Sequence, residues 1–410
     1  MSSAVFLLRI PPLYIFPLRN TFLNSYNIAG YFVLILFIAK CYEHYLNNQS
    51  FFVKKRISIL LILFLVSQSL SILMAVNILE FLARYKNIVL GLMIFIIAKK
   101  DIYLQKRIKS IVYVIFFSIL TNIVFELVLY FRPILFFKPF ITLLAQRYMD
   151  DFELNSARNR YFVNIYDAAL IPLIFILFGN TKQIFKKTIL GLTVITISFF
   201  SFVSNFRTQL IVLLITLIAS GKIYFTKNKP FVTFFLIVLT SLFIINMITV
   251  NNYSYNALDR VITPDSYDYK SLYGRFYYWS KAIDMGISSP IFGIGLGNYY
   301  DFLTNKIFNK TLLDPKDMFF KITWVHPHNV FFGTFAESGF FGLITFILIL
   351  IFFANSDLIT LLHKNNTMLN LFIISFWSLF LFSLVNPCTS LSYISLFWLL
   401  RGMIVSMTLN

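Results

Sequence analysis

The sequence predicts an all-α, polytopic integral membrane protein. Three observations lead there. Of its 410 residues, 59% are hydrophobic and only 13% are charged, against about 25% charged in an ordinary soluble domain. Apolar runs close to the ~20 residues that cross a bilayer recur along the whole chain. Lys and Arg gather in alternate connections, as the positive-inside rule requires. The N-terminal stretch contains Arg9 and Pro11-Pro12 and shows no small-residue cleavage site, so it reads as a span rather than a secretory signal.

Taken in order, the apolar segments are 4–20, 28–46, 57–79, 87–98, 108–131, 161–178, 188–205, 207–225, 231–250, 329–354, 368–385 and 390–409. Lipid leaves no water to satisfy open backbone groups, so each is expected to be helical. The expected organisation is nine transmembrane helices over 1–250, one large extracytoplasmic loop over 251–328, and three more helices over 329–410. The apolar stretch 133–145 is short and carries Pro139, so it is read as re-entrant or lying along the interface. Basic clusters at Lys54–Arg56, Lys99–Lys109, Lys182–Lys187, Lys222–Lys229 and Lys364 mark the cytoplasmic side. The turn expected near 80–86 and that near 386–389 hold only Arg84 and Lys86 between them. Both termini are then cytoplasmic, and 146–160 and 251–328 lie outside.

The net charge of +18 is explained in part by cytoplasmic loops facing anionic lipid. Arg132, Lys138, Arg147, Arg158, Arg160, Arg207, Arg260 and Arg275 fall on the outer side instead. Nucleic acid is not expected there. A polyanionic lipid head such as a pyrophosphate suits them better. Cys41 and Cys388 sit near opposite faces, so no disulfide is implied.

The outer loop is rich in Tyr and Asp, among them Tyr277, Tyr278 and Asp268. Aromatic faces beside carboxylates suit sugars, and an interfacial aromatic belt is the alternative. A helix is expected from Arg275 to Met285, stopped by Pro290 and the glycines after it. "GIGLGNYY" at 293–300 does not match G-x-G-x-x-G and has no strand before it. A tight turn that lets backbone come close to a neighbour explains it better than nucleotide binding. Arg207 opens an otherwise apolar helix, where it either faces a polar cavity or snorkels to the headgroups. In "WVHPHNVFFGTFAESG" at 324–339, His326 and His328 admit three readings. They can be metal ligands with Asp314, Asp317 or Glu337, interfacial side chains, or acid–base groups for a sugar hydroxyl. Pro327 between them lets only one point into a cleft. Glu337 is expected about two helical turns deeper in the same span.

Three pieces, in order, resemble the O-antigen ligase and O-antigen polymerase superfamily. They are "SNFRTQL" at 204–210, "YGRFYYWSKAIDMGISSPIFGIGLGNY" at 273–299, and "HPHNVFFGTFAESGFFG" at 326–342. The resemblance covers roughly 190–350. It implies a GT-C-like architecture and a bacterial cytoplasmic-membrane enzyme working at the outer face. The implied donor is an undecaprenyl-pyrophosphate-linked oligosaccharide, and the chemistry is inverting glycosyl transfer to a glycan acceptor without metal or other cofactor. Arg207 and Arg275 correspond to the arginines assigned to the pyrophosphate, and His328 to the base for the acceptor hydroxyl. Asn329, His326, Glu337, Trp279 and Tyr278 follow as substrate-binding positions, with no specific role for Glu337. Polymerisation of repeat units into O-antigen or capsular-type polysaccharide is the favoured reaction, with a chain-length regulator as a further partner. Ligation to lipid A-core or protein is the alternative. A transporter or flippase is the non-enzyme reading, and the paired broken helices of such proteins are not evident in the sequence.

Overall fold

A computed structural model describes residues 25–47, 55–100, 108–131, 166–180, 183–203, 207–225, 266–308, 326–363, 366–386 and 390–408. Twelve α-helices lie among them. In chain order these are α1 (Ser25–Leu46), α2 (Lys55–Leu70), α3 (Ile78–Lys100), α4 (Ile108–Phe131), α5 (Ile171–Asn180), α6 (Ile184–Val203), α7 (Arg207–Phe225), α8 (Ser266–Ser288), α9 (Tyr299–Phe308), α10 (Val330–His363), α11 (Thr367–Ser383) and α12 (Leu391–Thr408). Among the described residues there is no strand. The equality with the twelve expected spans is accidental. α8 and α9 belong to the expected loop, while the expected spans 4–20 and 231–250, and the stretch 133–145, lie outside the described residues.

Among the described residues, four segments can cross a membrane by length and composition: Arg56–Met74, Ile78–Lys99, Val330–His363 and Leu391–Thr408. Ile108–Val124, Asp167–Gly179 and Thr367–Ser383 are shorter apolar helices. The chain is an all-helical membrane protein in its described parts.

The turn between α2 and α3 corrects the sequence reading. A 3-10 turn, Ser71–Met74, ends the α2 rod, and α3 already begins at Ile78. Asn77 caps it by accepting the Glu80 N–H through Oδ1 at 3.3 Å, the usual role of an Asn before a helix. Arg84 and Lys86 therefore ride on α3 instead of sitting in a turn.

Close packing depends on small residues, as expected where helices meet without a hydrophobic drive between them. α3 and α12 run parallel: Gly91 faces Ile394 and Trp398, and Gly402 faces Phe95 and Ala98. α2 and α10 run antiparallel, with Phe64 beside Phe346. Two polar contacts join the same pair. The Ser338 hydroxyl donates to Gln68 Oε1 at 2.8 Å, and the hydroxyls of Ser67 and Thr345 lie 3.2 Å apart. α11 packs on α12, and α5 sits against both α7 and α11.

α10 is two helices joined at a corner. Gly339 has φ 64° and ψ −166°, a region open essentially to glycine alone. In a continuous helix Phe331 and Phe346 would stand about 22 Å apart, at ~1.5 Å rise per residue. Their ring centroids are 6.2 Å apart. The short arm 330–338 therefore folds back along the start of the long arm 340–363. Glu337 is consequently at the corner and not deeper along a single span. The start of the short arm, with the HPHN stretch before it, is recessed beside Phe346 and Phe380. A Cβ on residue 339 would also collide with the Ile291 carbonyl oxygen. Gly339→Ala should cost about 3 kcal/mol or more from backbone strain and collision together, read as a lower unfolding temperature in detergent and early proteolysis near the corner.

Candidate active site

α8 runs from Ser266 to Ser288 and stops before Pro290, so the expected helix exists and is longer at its N-terminal end. It lies along the short arm of α10. Gly286 meets the Phe335 ring, and Trp279 packs on Phe332 with ring centroids 5.3 Å apart. This order is parallel. Arg275 is one helical turn before Trp279 on α8, toward the His328 end of the short arm. The Trp279 Nε1–H is buried and has no acceptor among the described residues. Tyr278 contributes its carbonyl, which accepts the Tyr299 hydroxyl at 2.7 Å.

The glycine turn after α8 explains the corner. A break at Gly339 frees carbonyls that a helix would have paired internally. The turn supplies their donors: Ile294 N–H to Ala336 O at 2.9 Å, and Gly295 N–H to Glu337 O at 3.0 Å. In return Phe340 N–H donates to Pro290 O at 2.7 Å. Gly293, at φ 69°, lets its backbone touch that of Glu337 and Ser338. The close approach foreseen for "GIGLGNYY" is thus to the protein's own kinked helix. On its other side the turn rests on the α2–α3 connection. Gly295 abuts Ala75, and Gly297 lies under the Arg84 stem and the Glu80 carbonyl. The Asn298 side chain holds both the N–H and the C=O of Asn77, and Asn77 Nδ2 donates to Asp301 Oδ2 at 2.9 Å.

Glu337, which the sequence left without a role, has one here. Its carboxylate accepts backbone hydrogen bonds from Gly297 and Tyr299, at the start of α9, and faces Arg84. Carboxylates favour helix starts because the first N–H groups there lack internal partners. Burial, with Tyr278 and Tyr277 next and then Glu337 and Asp284, raises the Tyr299 phenol above its ordinary value, so it stays a hydrogen-bond donor.

The HPHN stretch lies at the other end of the short arm. His328 has φ 49°, the one positive φ on a non-glycine among the described residues. That turn presents its ring independently of the helix that follows. Asn329 caps α10. Its Oδ1 accepts the N–H of Phe331 at 2.9 Å and of Phe332 at 3.2 Å, and its Nδ2 donates to Leu384 O at 2.9 Å. His326 is brought near both His328 and Arg84. Burial first, then the Arg84 charge, then His328, push its pKa down to about 4. It is therefore neutral at pH 7.

The structure brings together His326, His328, Asn329, Trp279 and the α8 turn bearing Arg275, with Glu337 and Tyr278 at the corner. Arg207 stands apart in the chain as the first residue of α7, which packs on α11, the helix ending beside Leu384. No group of three His, Cys, Asp or Glu side chains converges among the described residues. Asp314 and Asp317, named for the metal alternative, lie outside those residues. Sequence reading missed Arg84. Its one signal was a basic residue on the side where basic residues are scarce.

No curated protein matches the chain. Residues 192–347 match the family model described as O-Antigen ligase. The matched stretch contains α7, α8, the glycine turn, the HPHN stretch and the corner of α10, and over it the chain is similar to the O-antigen ligase family.

Proposed function

We propose that the protein is a membrane glycosyltransferase that moves a glycan from a lipid-pyrophosphate donor onto a sugar hydroxyl, building O-antigen or capsular-type polysaccharide. One observation carries the reading. Within the family-matched segment, a histidine held in a left-handed turn stands at the end of the short arm toward which the arginine-bearing face of α8 points.

The proposed division of labour follows from charge. As the glycosidic bond breaks, its electron pair leaves with the pyrophosphate oxygen, which gains negative charge. Arg275 and Arg207 would stabilise that charge, because guanidinium makes paired, charge-assisted hydrogen bonds to phosphate oxygens. His328 would take the proton of the attacking hydroxyl as the new C–O bond forms. A single displacement inverts the anomeric centre. The buried Trp279 N–H offers a donor to a sugar oxygen, and neutral His326 adds no charge of its own beside the base. Asn329 would act by fixing the turn that carries His328. The matched description names ligation, so transfer of finished polymer to lipid A-core or protein is the second reading, with the same residues.

A deletion strain separates the readings by where sugar accumulates. Loss of the polymerase leaves a single repeat unit on the lipid core. Loss of a ligase leaves polymer on the isoprenoid carrier. Repeat units stranded on the inner leaflet would instead mark a flippase. Complementation with Arg275→Ala should fail to restore polymer, by a hundredfold or so, as for a lost transition-state donor. Wild-type gel patterns from that variant would remove Arg275 from the mechanism.

A further inference from the structure

Arg84 lies outside the family-matched segment, on α3, yet the site closes around it. Its stem covers Gly297 of the glycine turn. Its guanidinium charge is felt by the Glu337 carboxylate at the corner of α10 and by His326 in the HPHN stretch. These two side chains stand at opposite ends of the short arm. The charge of Arg84 thus acts on both the turn-anchoring acid and His326.

We propose that Arg84 is a positioning residue of this site, tying the glycine turn and the Glu337 corner to the HPHN stretch and so fixing the short arm that presents His328. The inference rests on the function proposed above for that stretch. Glu80 lies one turn before Arg84 on α3. Asp301 and Tyr299 lie on α9, Asp284 and Tyr278 on α8, and Glu337, His326 and His328 on or before α10. The Glu337 carboxyl faces the guanidinium, and the guanidinium in turn discourages a proton on His326. Protonated His326 would put a second cation beside the base and lower the base's appetite for a proton. Arg84 therefore acts on His328 at one remove, through geometry and through the neutrality of His326.

The test uses the full chain in lipid nanodiscs, with histidine-selective isotope labelling. Only four histidines are present, and His326→Gln identifies the signal. Arg84→Met keeps the stem over Gly297 and removes the charge, Arg84→Gln is a second neutral variant, and Arg84→Lys keeps the charge. Expected results are a His326 titration midpoint above about 4 in the neutral variants and an unchanged one in Arg84→Lys. With a lipid-pyrophosphate glycan as substrate, kcat should fall about tenfold or more while KM stays within about twofold, as for lost orientation. Two neutral variants that fail to fold beside a folded Arg84→Lys would also support a charge tie to Glu337. An unmoved His326 midpoint in a folded neutral variant would overturn the proposal, as would a raised KM at constant kcat, which marks direct substrate binding. A shifted midpoint in a protein that transfers no glycan would retire the proposed function and leave the Arg84 tie standing.

Discussion

His328→Gly is expected to abolish glycan transfer while leaving the fold as stable as before, or slightly more so. His328 holds φ 49°, a backbone conformation that costs an L side chain about 1 kcal/mol or more and costs glycine nothing. If residue 328 served only to turn the chain into the short arm of α10, glycine would be silent or helpful. If its imidazole takes the acceptor proton, glycine removes the base, and the rate should drop about 10²- to 10⁴-fold. His328→Ala loses the same ring but keeps the backbone strain, so it should be equally inactive and a little less stable than the glycine variant. Transfer from a lipid-linked donor by purified protein, paired with thermal unfolding, reads both quantities. A glycine variant within tenfold of wild-type rate would sink the assignment of His328 as base.

Asp357→Ala should be the most destabilising single change among the described residues. Arg401 is 0% exposed and Asp357 1% exposed, inside segments that can cross a membrane. Arg401 Nη1 donates to both carboxylate oxygens of Asp357 at 2.7 Å, and Trp377 Nε1 adds a third bond at 2.8 Å. The guanidinium also lies over the Phe353 ring, 4.0 Å from its centroid. One acid therefore pins α10, α11 and α12 together. Removing it strands an arginine where water cannot reach, at a cost of about 3–5 kcal/mol. The pair replaced together, Asp357→Leu with Arg401→Met, leaves no stranded charge and should recover most of that loss. Unfolding midpoints in detergent for the single and double variants decide it. Equal midpoints for both would show that something other than the stranded charge destabilises the single variant.

The legible parts of this protein are those that depend on neighbours in sequence. Apolar length announced α2, α10 and α12, and helical spacing announced α8 with its stop at Pro290. The three motif blocks held the candidate site in outline. The corner of α10 was not legible, because "ESGFFG" in an oily run looks like an uninterrupted span. A break there is possible only because its carbonyls accept from Ile294 and Gly295. Glu337 had no readable role for the same reason: the N–H groups it binds are about forty residues earlier in the chain. Asp357 and Arg401 drew no notice, since each looks like an isolated anomaly until α10 and α12 are laid side by side. Arg84 looks like a turn charge in the sequence because the apolar run there begins at 87, well past the Asn77 cap where α3 starts.

The fold-back of α10 also orders the protein's assembly. The residues that receive the corner, Pro290 through Tyr299 and the α2–α3 connection, are all synthesised before it. The corner can dock as soon as it is translated. The other end of the short arm is held by Leu384, which belongs to a part of the chain made later. His328, the proposed base, thus sits at the end that is fastened last. A truncated or partly inserted chain would carry a formed corner and an unfinished base. Activity would switch on only when the final helices are in place.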